Sequence, residues 1–155
     1  MKIRSITLNN RKKAFEVATS RERFFFPYVK AVPRPTASDP VTRADVDVEL
    51  GREGFTYTLE SGREGTVHID QVLEYNRDPR YMRDLLLYKL TLEAERRVEA
   101  SSLSKREIIR RLGTSPAQFY RLLDTTNTRK SIDKLLLLLR VLDCEVDLII
   151  RAKSA

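Results

Sequence analysis

The side chains best suited to chemistry sit together between Ser104 and Lys134. This window holds eight bases (Lys105, Arg106, Arg110, Arg111, Arg121, Arg129, Lys130 and Lys134) against three acids (Glu107, Asp124 and Asp133). Its balance of +5 makes up most of the +7 carried by the 155-residue chain. Residues 1–76, by contrast, carry 12 bases and 11 acids. A guanidinium pairs bidentately with phosphate or with a guanine edge, and a glutamine amide pairs in the same manner with adenine. Both groups occur in "SPAQFYRLLD", as Gln118 and Arg121. A localised basic surface of this kind suits a polyanion such as nucleic acid or an anionic membrane surface. The alternative is a solvated helical face, the common fate of charge runs.

Two short helices must position these groups. Ser104 and Glu107 form an S-x-x-E capping pattern, Ile108, Ile109 and Leu112 supply an apolar side, and Gly113 suits a left-handed helix end. Ser115 then caps a second helix, Pro116 takes its first position, and Gln118 stands where a capping box wants Glu or Gln. At about 100° per residue, Phe119, Leu122 and Leu123 point inward, and Ala117, Gln118, Tyr120 and Arg121 point outward or to the flank. Helices this short are unstable alone and must pack on each other and on a third element. Joined by a short Gly-containing turn, such a pair forms a helix-turn-helix whose second helix enters the DNA major groove. On that reading Gln118, Tyr120, Arg121 and Ala117 face the bases. Thr114, Ser115, Arg106, Arg110, Asn127, Thr128, Arg129 and Lys130 face the sugar-phosphate backbone.

The flanks read as follows. Asp78 and Pro79 open a helix to about Ala100, with Met82, Leu85, Leu86, Leu90, Ala94 and Val98 as its apolar stripe. Ser131 caps a last helix to about Asp143, and "EVDLIIR" alternates as a strand over about 145–151. In "IDKLLLLLRVL", Ile132, Leu135, Leu136, Leu139 and Leu142 form the stripe expected to pack on the two short helices, leaving Leu138 and Val141 on a shoulder. The first half reads as strands: "KIRSITL", "KKAFEVAT", "RFFFPYV", the strictly alternating "DVDVEL" at 45–50, "FTYTLE" and "GTVHID". "AVPRPTASDP" is a loop, and the two copies of GREG mark two turns of one meander. The expected fold class is α+β. A small β domain (1–76), read as one mostly antiparallel sheet over about 1–73, precedes an all-α helix-turn-helix domain (77–155), with a linker helix at about 79–100 and a short C-terminal strand.

"SKREIIRRLGTSPAQFYRLLD" followed by "KSIDKLLLLLRVLDCEVDLIIR" resembles the lambda-repressor-like, Cro/Xre-type helix-turn-helix family, and most of all its higA-type antitoxin subgroup. The resemblance covers roughly 78–151; residues 1–73 resemble no named family. It implies a cytoplasmic, sequence-specific regulator of transcription that binds double-stranded DNA, with Gln118, Tyr120 and Arg121 at base-reading positions. A second reading is an antitoxin that represses its own operon and holds a toxin or other protein through its N-terminal domain. A third is a protein-interaction adaptor without DNA binding, a reading suggested by Pro116 and Ala117 where many members carry glutamine. A homodimer is expected, because the last helix and the following strand carry more apolar surface than one neighbour covers.

Other residues yield bland readings. His68 has no second His, Cys or Ser at catalytic or metal spacing, and reads as a strand histidine satisfied by neighbours. Asp45, Asp47 and Glu49 read as a solvated sheet face, and "FFFPY" as sheet core. Cys144 is the only cysteine, which excludes an intrachain disulfide and suits a reducing compartment. No P-loop, GxGxxG or HExxH occurs, so neither an enzyme site nor a metal or cofactor is expected. The longest apolar run, Leu135 to Leu139, falls far short of the roughly 20 residues of a membrane span.

Overall fold

The structure, a computed structural model, describes residues 1–154. It is α+β, with two three-stranded antiparallel sheets and five α-helices. The chain divides into two compact units, Met1–Met82 and Arg83–Ala155.

In the first unit β1 (Ile3–Asn9), β2 (Ala14–Thr19) and β3 (Arg23–Pro27) form one meander, and β4 (Val41–Val46), β5 (Gly54–Leu59) and β6 (Glu64–His68) form another. Alternate side chains turn inward, as a pleated strand requires: Phe15 and Val17, Phe24 and Phe26, Phe55, Tyr57 and Leu59 are all buried. The Phe15 ring lies 4.9 Å from Phe55 and 5.0 Å from Tyr57, so both sheets share one core. In the first GREG turn, Gly51 and Arg52 have φ +61° and +66°; in the second, Gly62 has φ +87°. Gly65 pairs with Tyr57 across the β5–β6 ladder, and a Cβ there would run into the Tyr57 ring.

Three sequence expectations for this unit need correction. The strands form two sheets rather than one. The alternating segment 45–50 is not a strand throughout: β4 ends at Val46, and Asp47 starts a turn. The Asp47 carboxylate accepts from Leu50 N at 3.0 Å and its carbonyl from Arg52 N at 2.9 Å, which leaves Val48 and Leu50 exposed. Local side-chain-to-backbone bonding thus overrides the apolar period. Finally, "HID" does not simply extend β6; it opens α1 (Ile69–Tyr75). His68 Nδ1 accepts from Asp70 N at 3.2 Å and Gln71 Oε1 from His68 N at 2.9 Å, a capping box with histidine in the serine role.

α2 (Pro79–Ala100) starts on Asp78, whose carboxylate accepts from Tyr81 N at 2.9 Å and pairs with Arg21 at 3.2 Å. Its buried stripe is Leu87, Thr91, Ala94 and Val98, with Leu90 partly buried. Leu86 lies off that stripe and is exposed. α3 (Lys105–Leu112), α4 (Pro116–Leu123) and α5 (Ile132–Val141) follow, each with a serine N-cap: Ser104, Ser115 and Ser131. Ile108, Phe119, Leu122, Leu135, Leu138 and Leu139 join the α2 stripe in the core of the second unit. The α5 stripe therefore differs from the expected one. Leu138 is fully buried, whereas Leu136 and Ile132 are 40% and 50% exposed. Leu135, Leu138 and Leu139 satisfy the i, i+3, i+4 spacing of one face, and Ile132 with Leu136 forms a neighbouring ridge.

The expected strand at 145–151 does not form; the segment carries no strand pairing and is exposed from Glu145 onward. A strand exists through its ladder, and this chain places no described strand beside it. Among the described residues, no helix is long and apolar enough to cross a membrane.

Candidate nucleic-acid interface

α3 ends at Gly113, which takes the left-handed conformation (φ +68°) and donates its amide to Ile109 O and Arg110 O. Thr114 then leads into Ser115, whose hydroxyl accepts from Gln118 N at 3.2 Å, and α4 begins on Pro116. Phe119 and Leu122 anchor α4 in the core. The opposite face, carrying Ala117, Gln118, Tyr120 and Arg121, is exposed. Both caps hold as single bonds. The reciprocal half of each capping box is absent, because Glu107 turns to Arg110 and Arg111 and Gln118 Oε1 accepts from the Thr114 hydroxyl at 2.7 Å.

Beside this face lies an open cleft of about 410 Å³. It gathers Thr114, Gln118, Arg121, Asn127, Arg129 and Lys130, all named from the sequence, and adds Lys134. Four cations and no carboxylate line it. No ion pair engages Arg121 or Arg129 among the described residues, so both guanidinium groups retain their donors. Asn127 sets the loop geometry: its Nδ2 donates to Arg121 O at 3.3 Å and its Oδ1 accepts from Arg129 N at 3.0 Å. Asp124 is turned away onto the Thr126 hydroxyl and amide, bonds that hold its carboxyl below the usual range.

The remaining candidates lie elsewhere or are already engaged. Ser115, Ala117, Tyr120, Thr128, Arg106 and Arg110 do not line the cleft. The Tyr120 ring packs edge-on against Phe119 at 5.4 Å. Arg110 grips Glu107 through two bonds of 2.9 and 2.6 Å, and Arg111 adds a third at 3.0 Å. These guanidinium bonds push the Glu107 carboxyl down to about 2. Lys130 corrects an expectation. Its ammonium points inward and donates to Thr91 Oγ1 (2.9 Å), Leu122 O (2.8 Å) and Asp124 O (2.5 Å). All three of its donors are used, so it is a strut of the fold rather than a free phosphate ligand. Burial lowers its pKa.

No family model, curated protein or solved structure matches the chain.

Sequence reasoning overlooked Lys134 as a lining residue. The available signal was its place in the first turn of the Ser131-capped α5, next to the loop that bears Arg129. It also overlooked the α1 cap, whose signal was H-x-x-Q ahead of Ile69, Val72 and Leu73. The first unit has an open hollow of about 540 Å³ beside Lys12, Lys13, Tyr28 and Arg34. Part of its polar chemistry is used internally: Lys12 Nζ sits 4.0 Å over the Phe25 ring, and the Tyr28 hydroxyl donates to Asn10 at 3.0 Å. Among the described residues, no group of three or more His, Cys, Asp or Glu is placed to hold a metal ion.

Proposed function

We propose that α3, the Gly113–Ser115 turn and α4 form a helix-turn-helix that reads double-stranded DNA, in a transcriptional regulator whose β-rich first unit precedes this reading domain. The observation that carries the proposal is the acid-free cleft beside the exposed face of α4, where Arg121, Arg129 and Lys134 are the cations not spent inside the fold. A polyanion is the ligand such a surface attracts, and a helix whose apolar side is anchored by Phe119 and Leu122 can present its other side to base edges.

In this assignment Arg121 and Gln118 address bases. Arg129, Lys134 and Arg106 supply phosphate contacts, with the Ser115 hydroxyl and the free amides of the α4 N-terminus. Lys130 fixes the loop that carries Arg129. The Thr114–Gln118 bond holds the Gln118 carbonyl oxygen and leaves its amide donors available to an adenine N7.

The test is binding to a random duplex across a salt series, then selection of bound sites from a random DNA pool. Several phosphate contacts predict a loss of affinity by orders of magnitude between about 50 and 200 mM salt. An affinity that stays flat over that range, or a pool without enrichment, would overturn the proposal.

A further inference from the structure

The segment after α5 reads Glu145-Val-Asp-Leu-Ile-Ile-Arg-Ala-Lys153, and as extended chain it has two distinct faces. Val146, Leu148, Ile150 and Ala152 make one face wholly apolar. The other runs from acidic to basic about Ile149: Glu145 and Asp147 on one side, Arg151 and Lys153 on the other. The apolar side chains are uncovered in the single chain, with Leu148 81% and Ile150 84% exposed.

A strand graded in this way is complementary to its own reverse. In an antiparallel pair with its two-fold axis at Ile149, Asp147 faces the partner's Arg151 and Glu145 faces the partner's Lys153. On the apolar face, Leu148 meets the partner's Ile150 and Val146 the partner's Ala152. Ile149 meets itself. No neighbouring register does as well: a slip of two residues sets Ile149 against Arg151 or Asp147, and a parallel pair stacks Asp147 on Asp147. Cross-strand opposite charges stabilise a ladder and like charges weaken it.

We infer that residues 145–153 form an antiparallel two-stranded ribbon with the same segment of a second copy of this chain, in the register centred on Ile149. The ribbon supplies the ladder that the single chain lacks. A two-stranded ribbon alone is marginal in water, so its apolar face needs cover. Ile132 and Leu136, exposed on α5 just before the segment, offer apolar surface for it.

Light scattering of the full chain at micromolar concentrations, without DNA, tests the inference independently of duplex binding. The wild type is expected to dimerise. Asp147→Arg and Arg151→Asp each place two like-charge pairs in the ribbon and should weaken the dimer about tenfold or more. The double exchange should restore it. Both positions are exposed beyond the last helix, and circular dichroism checks that helix content is unchanged. In a Cys144→Ser background, Ile149→Cys should cross-link to itself on mild oxidation, since facing residues of a ladder meet disulfide spacing. A wild type monomeric at every concentration, a dimer indifferent to both single reversals, or a double exchange that fails to restore it overturns the inference. Loss of DNA binding with the dimer intact would count only against the duplex reading.

Discussion

The Lys130 ammonium lies 2.9 Å from the Thr91 hydroxyl, a bond between the loop that precedes α5 and the middle of α2. Thr91 is fully buried, and its own hydroxyl donates to Leu87 O at 2.6 Å, so the residue is satisfied both as donor and as acceptor. The same ammonium takes the carbonyls of Leu122 and Asp124 at the α4 C-terminus, where helix carbonyls lack intrahelical partners and a cation is favoured. One side chain thus holds three elements of the second unit in register.

Lys130→Ala removes three hydrogen bonds, two of them part-buried, to the Thr91 hydroxyl and the Leu122 carbonyl. The expected loss of stability is about 1–3 kcal/mol, measured by urea unfolding at neutral pH. The salt dependence of duplex binding should stay the same for the folded variant, because the ammonium is spent internally. A shallower slope at unchanged stability would return Lys130 to the phosphate contacts.

Glu107 makes a pH-dependent contribution. Its folded-state pKa of about 2 lies below the unfolded value of 4.5, so its contribution is complete above pH 4.5 and is lost as pH falls toward 2. Glu107→Gln should lower the melting temperature at pH 7, and the gap from wild type should close between pH 4.5 and 2. The variant also frees Arg110 and Arg111. If α3 lies near the DNA backbone, duplex binding should tighten at low salt and its salt slope should steepen. A melting gap that stays constant down to pH 2 would show that the ionised carboxylate of Glu107 contributes no stability through its guanidinium bonds.

Punctuation was legible in the sequence where one residue type has one local use. Ser104, Ser115 and Ser131 cap their helices, Gly113 ends α3 in the left-handed region, and Asp78 opens α2. Facing was less legible. On α5, five consecutive leucines leave the buried face undetermined by pattern, and the core that holds Ile108 and Phe119 takes in Leu138 and leaves Leu136 out. At 47–50 an aspartate turn defeats a perfect alternation. In the candidate site, charge singled out Arg121 and Arg129, which line one cleft, but composition does not say which cation turns inward. Lys130 does so because two carbonyls and a buried hydroxyl converge on it.

The α5 facing has a direct test. Leu138 is fully buried, and Leu138→Ala should cost about 2–5 kcal/mol. Leu136 is 40% exposed, and Leu136→Ala should cost well under half as much in the monomer. Denaturant unfolding of both variants at a concentration below dimerisation makes the comparison. Equal losses would mean that Leu136, and not Leu138 alone, is packed in solution.

Arg121 and Arg129 share the cleft but not the expected role. Arg121 projects from α4, whose backbone is fixed by the Ser115 cap and by Phe119 and Leu122 in the core, so its guanidinium can be aimed. Arg129 stands on a loop tied by Asn127 and Lys130 rather than on a helix, a placement that suits a phosphate more than a base edge. Arg121→Ala should therefore relax preference at one base pair, costing about 1–3 kcal/mol there. Arg129→Ala should weaken all sequences alike and reduce the salt slope by about one. Titrating both variants against a selected site and its single-base substitutions separates the two roles. If the two lose affinity equally on every duplex, Arg121 is a phosphate contact and the reading of bases falls to Gln118 alone.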